Sequence, residues 1–219
     1  MSRYRDRNIP CFAGHCMVRT PNGSIAVKNI RPGMMLWTPS GPHAVKAVVA
    51  TSVRDVALCR VGSLHITPWH PIMTEGGSWA FPAEVQHEET KFSGKIYSIL
   101  LERSMVFDTH AISVEGHVCV TLGHGYQGNH GSDVRAHPFF GSYSRVLRSL
   151  SALPRDFRGV LHSAGIKRDT RTGLATSFVG ADRTGIFTVK TTPLLFGAGS
   201  SQKIRPRFHR KRRLIALGS

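Results

Sequence analysis

The residues of this chain best suited to covalent chemistry fall in three segments. Cys11-Phe12-Ala13-Gly14 sets a thiol just ahead of a hydrophobic strand. About 56 residues later, Thr67-Pro68-Trp69-His70-Pro71-Ile72 offers a hydroxyl and an imidazole three positions apart. The third segment runs from Tyr97-Ser98-Ile99-Leu100-Leu101 through His110 and Gly116-His117-Val118 to Val120-Thr121-Leu122-Gly123-His124-Gly125. A thiol becomes an effective nucleophile when a partner takes its proton, and an imidazole titrating near neutrality is suited to that task. Taken singly, each signal is weak. A Cys at the head of a strand is commonly a small buried hydrophobe, and a His between prolines is commonly structural. Their order along the chain is what makes them candidates.

The elements that must position these residues read as short strands. Met17-Val18-Arg19 runs into the hairpin signal Pro21-Asn22-Gly23-Ser24 and returns as Ile25-Ala26-Val27. The Arg31-Pro32-Gly33 turn precedes Met34–Trp37, and Ser40-Gly41-Pro42 precedes a long apolar run, Val45–Val53. Further strands are predicted at Ala57–Val61, Leu64–Thr67, Lys95–Leu101 and His117–Leu122, with Cys16 on the first strand. β-Branched runs broken by Gly or Pro every 8 to 12 residues indicate an all-β domain. Beyond Gly125, Tyr143, Val146, Leu147 and Leu150 have helical spacing, so one short amphipathic helix is expected. Residues 154–180 read as loop and strand.

Composition narrows the function classes. With 41% hydrophobic residues the chain can bury a real core. No apolar run approaches the roughly 18 residues of a membrane span. The N-terminus is charged and lacks a signal-peptide core, so a soluble, intracellular protein is expected. The net charge of +16 suggests a nucleic-acid partner, but half of it lies in residues 181–219. There Lys203–Arg213 carries seven basic residues in eleven. Such a block self-repels and reads as a disordered tail, with a polyanion or nuclear-localisation role as the alternative. No zinc-finger, RRM or KH pattern is present in residues 11–125. Four cysteines without a secretory signal disfavour a disulfide framework. The spacing of Cys11, Cys16, Cys59 and Cys119 lacks the two close pairs of a structural zinc module, so neither metal nor cofactor is expected.

Cys11-Phe12-x-Gly14 with Val18, the Pro32-Gly33 turn, Gly62-Ser63-Leu64 leading into Thr67-x-x-His70, and the 97–125 segment together resemble the blocks of Hint domains, the module of hedgehog C-terminal regions and inteins. The longer phrases Thr67-Pro-Trp-His-Pro and Asp133-Val-Arg-Ala-His137-Pro-Phe-Phe-Gly141 resemble the Vint branch, the Hint module attached to von Willebrand factor A proteins. No von Willebrand segment is present, so a free-standing copy or a fragment is expected. The resemblance implies a Hint domain at 11–125, an N-terminal flank at 1–10, a small helical C-terminal extension at 126–180 and a basic tail at 181–219.

The resemblance also implies a reaction. Cys11 attacks the carbonyl of Pro10, an N–S acyl shift that turns the peptide bond into a thioester. Thr67 and His70 act on the amide nitrogen, and the chain's own upstream polypeptide is the substrate. The thioester is then open to water, a thiol, an amine or a lipid hydroxyl. Cys16 is the candidate auxiliary thiol, Cys59 a candidate assisting acid or redox partner, and both also read as buried; Cys119 reads as core. His110 would order the C-terminal half of the site, and His124 matches the penultimate histidine of inteins. Splicing inteins follow that His with Asn, whereas here His124-Gly125-Tyr126 stands and the chain continues. N-terminal cleavage or transfer is therefore expected in place of full splicing. The Pro10 ring crowds the carbonyl to be attacked, and with only ten residues ahead of Cys11 the natural upstream partner is expected to lie outside this chain. The alternatives are an inactive Hint scaffold and polyanion binding through residues 203–213.

Overall fold

The computed structural model describes residues 9–85, 87–127 and 133–181, except for the side chains of Phe107 and Asp108. The basic segment 203–213 lies outside the described residues. Among them, thirteen strands and one α-helix form two sheets, and no helix is long and apolar enough to cross a membrane.

The first sheet is built on the 21-residue strand β5 (Gly41–Val61). It pairs antiparallel with β9 (Glu88–Leu101) from Val45↔Leu101 to Arg60↔Glu88. Two predicted strands, 45–53 and 57–61, thus merge into one. Where a break was expected, a bulge between Val53 and Val56 holds Asp55 at φ +50°, and the Ser93 hydroxyl accepts the Asp55 N–H. The start of β5 also pairs with β4 (Met35–Thr38). Two short strands, β1 (Phe12–Ala13) and β6 (Leu64–Ile66), fill the space beside them, with Phe12 opposite both Ile66 and Tyr97. Cys16 is not on the first strand: β1 ends at Ala13, and Cys16 lies in the turn that follows, donating its N–H to Ala13 O.

The second sheet contains β2 (Met17–Thr20) and β3 (Gly23–Ala26), joined through the expected Asn22-Gly23 turn with Gly23 at φ +113°. It continues through β10 (Ala111–Val114), β11 (His117–Val120), β7 (Ile72–Met73) and β8 (Trp79–Ala80).

The run Ala47-Val48-Val49-Ala50 is apolar without alternation, as expected of a strand covered on both faces. Val48 and Ala50 join Phe12, Leu58, Ile66 and Ile112 in one core, while Ala47 and Val49 join a second. The chain after residue 125 supplies the cover for that second face. Helix α1 (Tyr143–Leu150) turns Val146 and Leu150 inward. Strand β12 (Leu161–Arg168) adds parallel to β5 through Leu161↔Val49, and β13 (Ala175–Gly180) pairs with β12. Phe139, Phe140, Leu161 and Phe178 complete the cluster, which includes Cys11 and Leu100.

Candidate active site

Cys11 enters β1 from a buried segment, Ile9-Pro10, and its side chain is fully buried. Thr67, just past the end of β6, grips this segment from both sides of Pro10. Its Oγ1 accepts the Cys11 N–H at 3.0 Å and donates to Ile9 O at 2.9 Å. The Thr67 N–H donates in turn to Cys11 O at 3.0 Å. The nitrogen of the Pro10–Cys11 peptide bond is thereby held directly by the Thr67 hydroxyl.

The Pro68-Trp69 turn folds His70 back beneath Thr67, with the His70 N–H donating to Thr67 O. The imidazole is buried, packs 4.4 Å from the Phe12 ring, and donates through Nε2 to Val120 O at 2.7 Å. That bond fixes the tautomer and leaves Nδ1 as a bare acceptor. Nδ1 makes no hydrogen bond. Burial pulls His70 down to about 4, against the opposing pull of the Val120 carbonyl, and pushes the Cys11 thiol up to about 12. At neutral pH both groups are uncharged.

Ser98 completes the arrangement, and the sequence reading did not single it out. It lies on β9 between Ile96 and Leu100, a buried hydroxyl in an otherwise apolar stripe facing the second core. Its Oγ donates to the Pro10 carbonyl oxygen at 2.7 Å and lies 3.0 Å from Cys11 Sγ. With its one proton on the carbonyl, Ser98 accepts the thiol proton of Cys11. The signal available in the sequence was polar Ser98 interrupting the i, i+2 apolar alternation of a strand.

The other residues singled out from the sequence lie elsewhere. Cys16, Cys59 and Cys119 are free, buried thiols of the first core, across the sheet from Cys11. Cys16 Sγ accepts the His65 N–H at 3.3 Å, and Cys59 sits opposite Ile66 on β5. His110 and His124 line a cleft of about 380 Å³ together with Val120, Trp37, Trp79 and Arg135. Val120 is thus shared between this cleft and the His70 contact. His124 is buried, accepts the Tyr126 N–H at 3.4 Å, and is pulled down to about 3 by burial and by Arg135, His110 and His137. Burial also lowers His110, whose Nε2 meets Ser104 O at 3.4 Å. The His124-Gly125-Tyr126 segment is held by the chain after residue 133. Gly123 N–H donates to Phe140 O, Gly125 N–H to Gly141 O, and His137 N–H to Tyr126 O.

The arrangement has a thiol beside a polarised carbonyl, a hydroxyl on the amide nitrogen, and a neutral imidazole with one open nitrogen. It is a set suited to exchanging an amide for a thioester.

Among solved structures, the chain is similar to the intein-like domain of Clostridium thermocellum, at 16% identity and TM-score 0.42, covering 52% of this chain and 99% of that one. It is also similar to the gp41-1 intein, at 12% identity and TM-score 0.40, covering 52% and 100% of the two chains. A DnaB intein from Synechocystis gives 10% identity and TM-score 0.41 over 52% and 99%. A search of curated proteins matched none of them. A family model described as Vint, a Hint domain, matches residues 10–177, well over half of the sequence. The chain belongs to the Vint family of Hint domains.

Proposed function

We propose that this Hint domain, autoprocessing in general type, carries out an N–S acyl shift at Pro10–Cys11 and so cleaves or transfers the polypeptide upstream of Cys11. The observation that carries this reading is the double grip on one peptide bond. Thr67 Oγ1 is on its nitrogen, and Ser98 Oγ is on its carbonyl oxygen and 3.0 Å from the thiol.

In the proposed step, Cys11 Sγ bonds to the Pro10 carbonyl carbon. The electron pair moves onto the carbonyl oxygen, where the Ser98 hydroxyl stabilises it. His70 Nδ1 takes the thiol proton and delivers it to the Cys11 nitrogen as the C–N bond breaks. The products are a Pro10 thioester on Sγ and a free Cys11 amine. An imidazolium disfavoured by burial is a strong acid, which suits it to protonating a departing amine. A thiol pushed up to about 12 does not ionise beforehand, so attack and proton transfer must be concerted. Thr67 is a positioning residue that fixes the amide for attack. With Gly125 where splicing inteins have Asn, the upstream peptide leaves by cleavage or by transfer to another nucleophile. The aromatic cleft at His110 and His124 is the approach we assign to that nucleophile.

The test is a reporter fused upstream of Ile9-Pro10-Cys11 and incubated with dithiothreitol or hydroxylamine. Release of a fragment ending at Pro10 is expected, abolished in Cys11→Ala and slowed in His70→Ala. A fusion that stays intact in all conditions overturns the reading in favour of an inactive scaffold.

A further inference from the structure

A second convergence of reactive side chains lies outside the Cys11 centre. The turn between β1 and β2 sets His15 and Cys16 against His65 of β6, fifty residues away in sequence. His15 Nε2 and His65 Nδ1 are 3.2 Å apart, and one ring nitrogen of each histidine and Cys16 Sγ all lie within 4.8 Å of one another. A hydrogen bond between two imidazoles accounts for the His15–His65 approach alone. The sulfur reaches the same point through the His65 backbone, accepting its N–H at 3.3 Å and donating to its carbonyl at 3.5 Å.

The three groups so gathered also meet the needs of a metal ion. A tetrahedral ion with bonds of about 2.0–2.1 Å to nitrogen and 2.3 Å to sulfur sets its ligand atoms roughly 3.3–3.6 Å apart along the edges. The observed nitrogen separation already matches such an edge. Only a modest closure is needed from His15, which is exposed and so free to adjust. Cys16 is held in place, its sulfur accepting the His65 N–H and its own N–H bonded to Ala13 O. A carboxylate stands beside the cluster. Glu115 accepts the Met17 N–H at 2.6 Å and the Ser63 hydroxyl at 2.9 Å, tying together the segments that carry Cys16 and His65. Its negative charge favours a cation there.

We propose that His15, Cys16 and His65 form a binding site for a borderline divalent transition-metal ion of the zinc class, with a fourth position open to water. The bound ion clamps the β1–β2 turn to β6. His15 lies four residues after Cys11 and His65 two residues before Thr67, so the clamp stiffens the frame of the acyl-shift centre from outside it. The site needs neither Cys11 nor His70, and it stands whether or not the acyl shift occurs.

The full chain, stripped with chelator, is titrated with Co(II) and then with Zn(II) as competitor. One equivalent of Co(II) is expected to give a thiolate-to-metal charge-transfer band that zinc abolishes, and zinc is expected to raise Tm. His15→Ala and His65→Ala each weaken Co(II) binding at least tenfold, with folding checked by circular dichroism; His15 is exposed, so its variant leaves the core untouched. Cys11→Ala keeps the band. No charge-transfer band overturns the site. A band that forms with unchanged Co(II) affinity in His15→Ala, or that disappears in Cys11→Ala, overturns it as well by placing the metal elsewhere.

Discussion

Replacing Ser98 by Ala is the sharpest test of the acyl-shift geometry, because this one hydroxyl touches both the thiol and the carbonyl to be attacked. Removing an oxyanion donor that acts only in the transition state costs on the order of 100- to 1000-fold. The Ser98 bond to Pro10 O is already formed at 2.7 Å in the resting state, so only its strengthening counts. A neutral hydrogen bond contributes about 1 kcal/mol and one to a charged oxygen about 1.5–3 kcal/mol. The difference, roughly 0.5–2 kcal/mol, corresponds to about a 2- to 30-fold slower thioester formation. The assay is the rate of reporter release at saturating dithiothreitol, where thioester formation limits. Ser98→Thr, which keeps the hydroxyl, is expected to recover most of the rate. Ser98→Ala also leaves the buried Pro10 oxygen without its partner, at about 1–3 kcal/mol of stability; thermal melts separate that loss from the rate. A folded Ser98→Ala protein that cleaves as fast as the parent would refute the assignment of Ser98 to the developing oxyanion.

Acid is expected to unfold the domain early. His70, His124 and His137 are buried and pulled down to about 4, 3 and 3, chiefly by burial, so the unfolded chain binds more protons than the folded one below pH 6.5. Stability is complete above that value and falls as pH drops through it, by roughly 2 kcal/mol per histidine at pH 5, which urea melts at pH 7.5 and 5 would measure. Gly141→Ala is expected to cost about 3 kcal/mol or more in the same melts. A Cβ there would sit 1.9 Å from Tyr126 O, and backbone has little room to yield. Thr67→Val removes the hydroxyl from the Cys11 nitrogen while keeping the shape, and should slow reporter release at least tenfold. Cys59→Ala, in the other core, should leave the release rate within twofold.

What the sequence made legible was whatever has a local signature. The Asn22-Gly23 turn and the two-sided apolar run 47–50 each follow from properties of neighbouring residues. Cys11, Thr67 and His70 were legible because their types and order carry chemical meaning. What escaped depends on pairing between distant strands. Residues 45–53 and 57–61 read as two strands because nothing nearby shows that Ser93 would hold the Asp55 N–H. β12 lies parallel to β5, and a parallel pair has no hairpin to announce it. Ser98 and His65 are the instructive cases, since both depend on the register of β1. With Phe12 opposite Tyr97 and Ile66, Ser98 and His65 are the neighbours of those partners. A one-residue slip of β1 would turn its own side chains to the opposite face. Cys11 would then leave Ser98 for the first core, and the turn that carries His15 and Cys16 would lose its match to His65. One two-residue strand therefore sets both the acyl-shift centre and the proposed metal clamp. A substitution that shifts β1 should damage the two together, whereas one at Ser98 or at His15 should damage only its own.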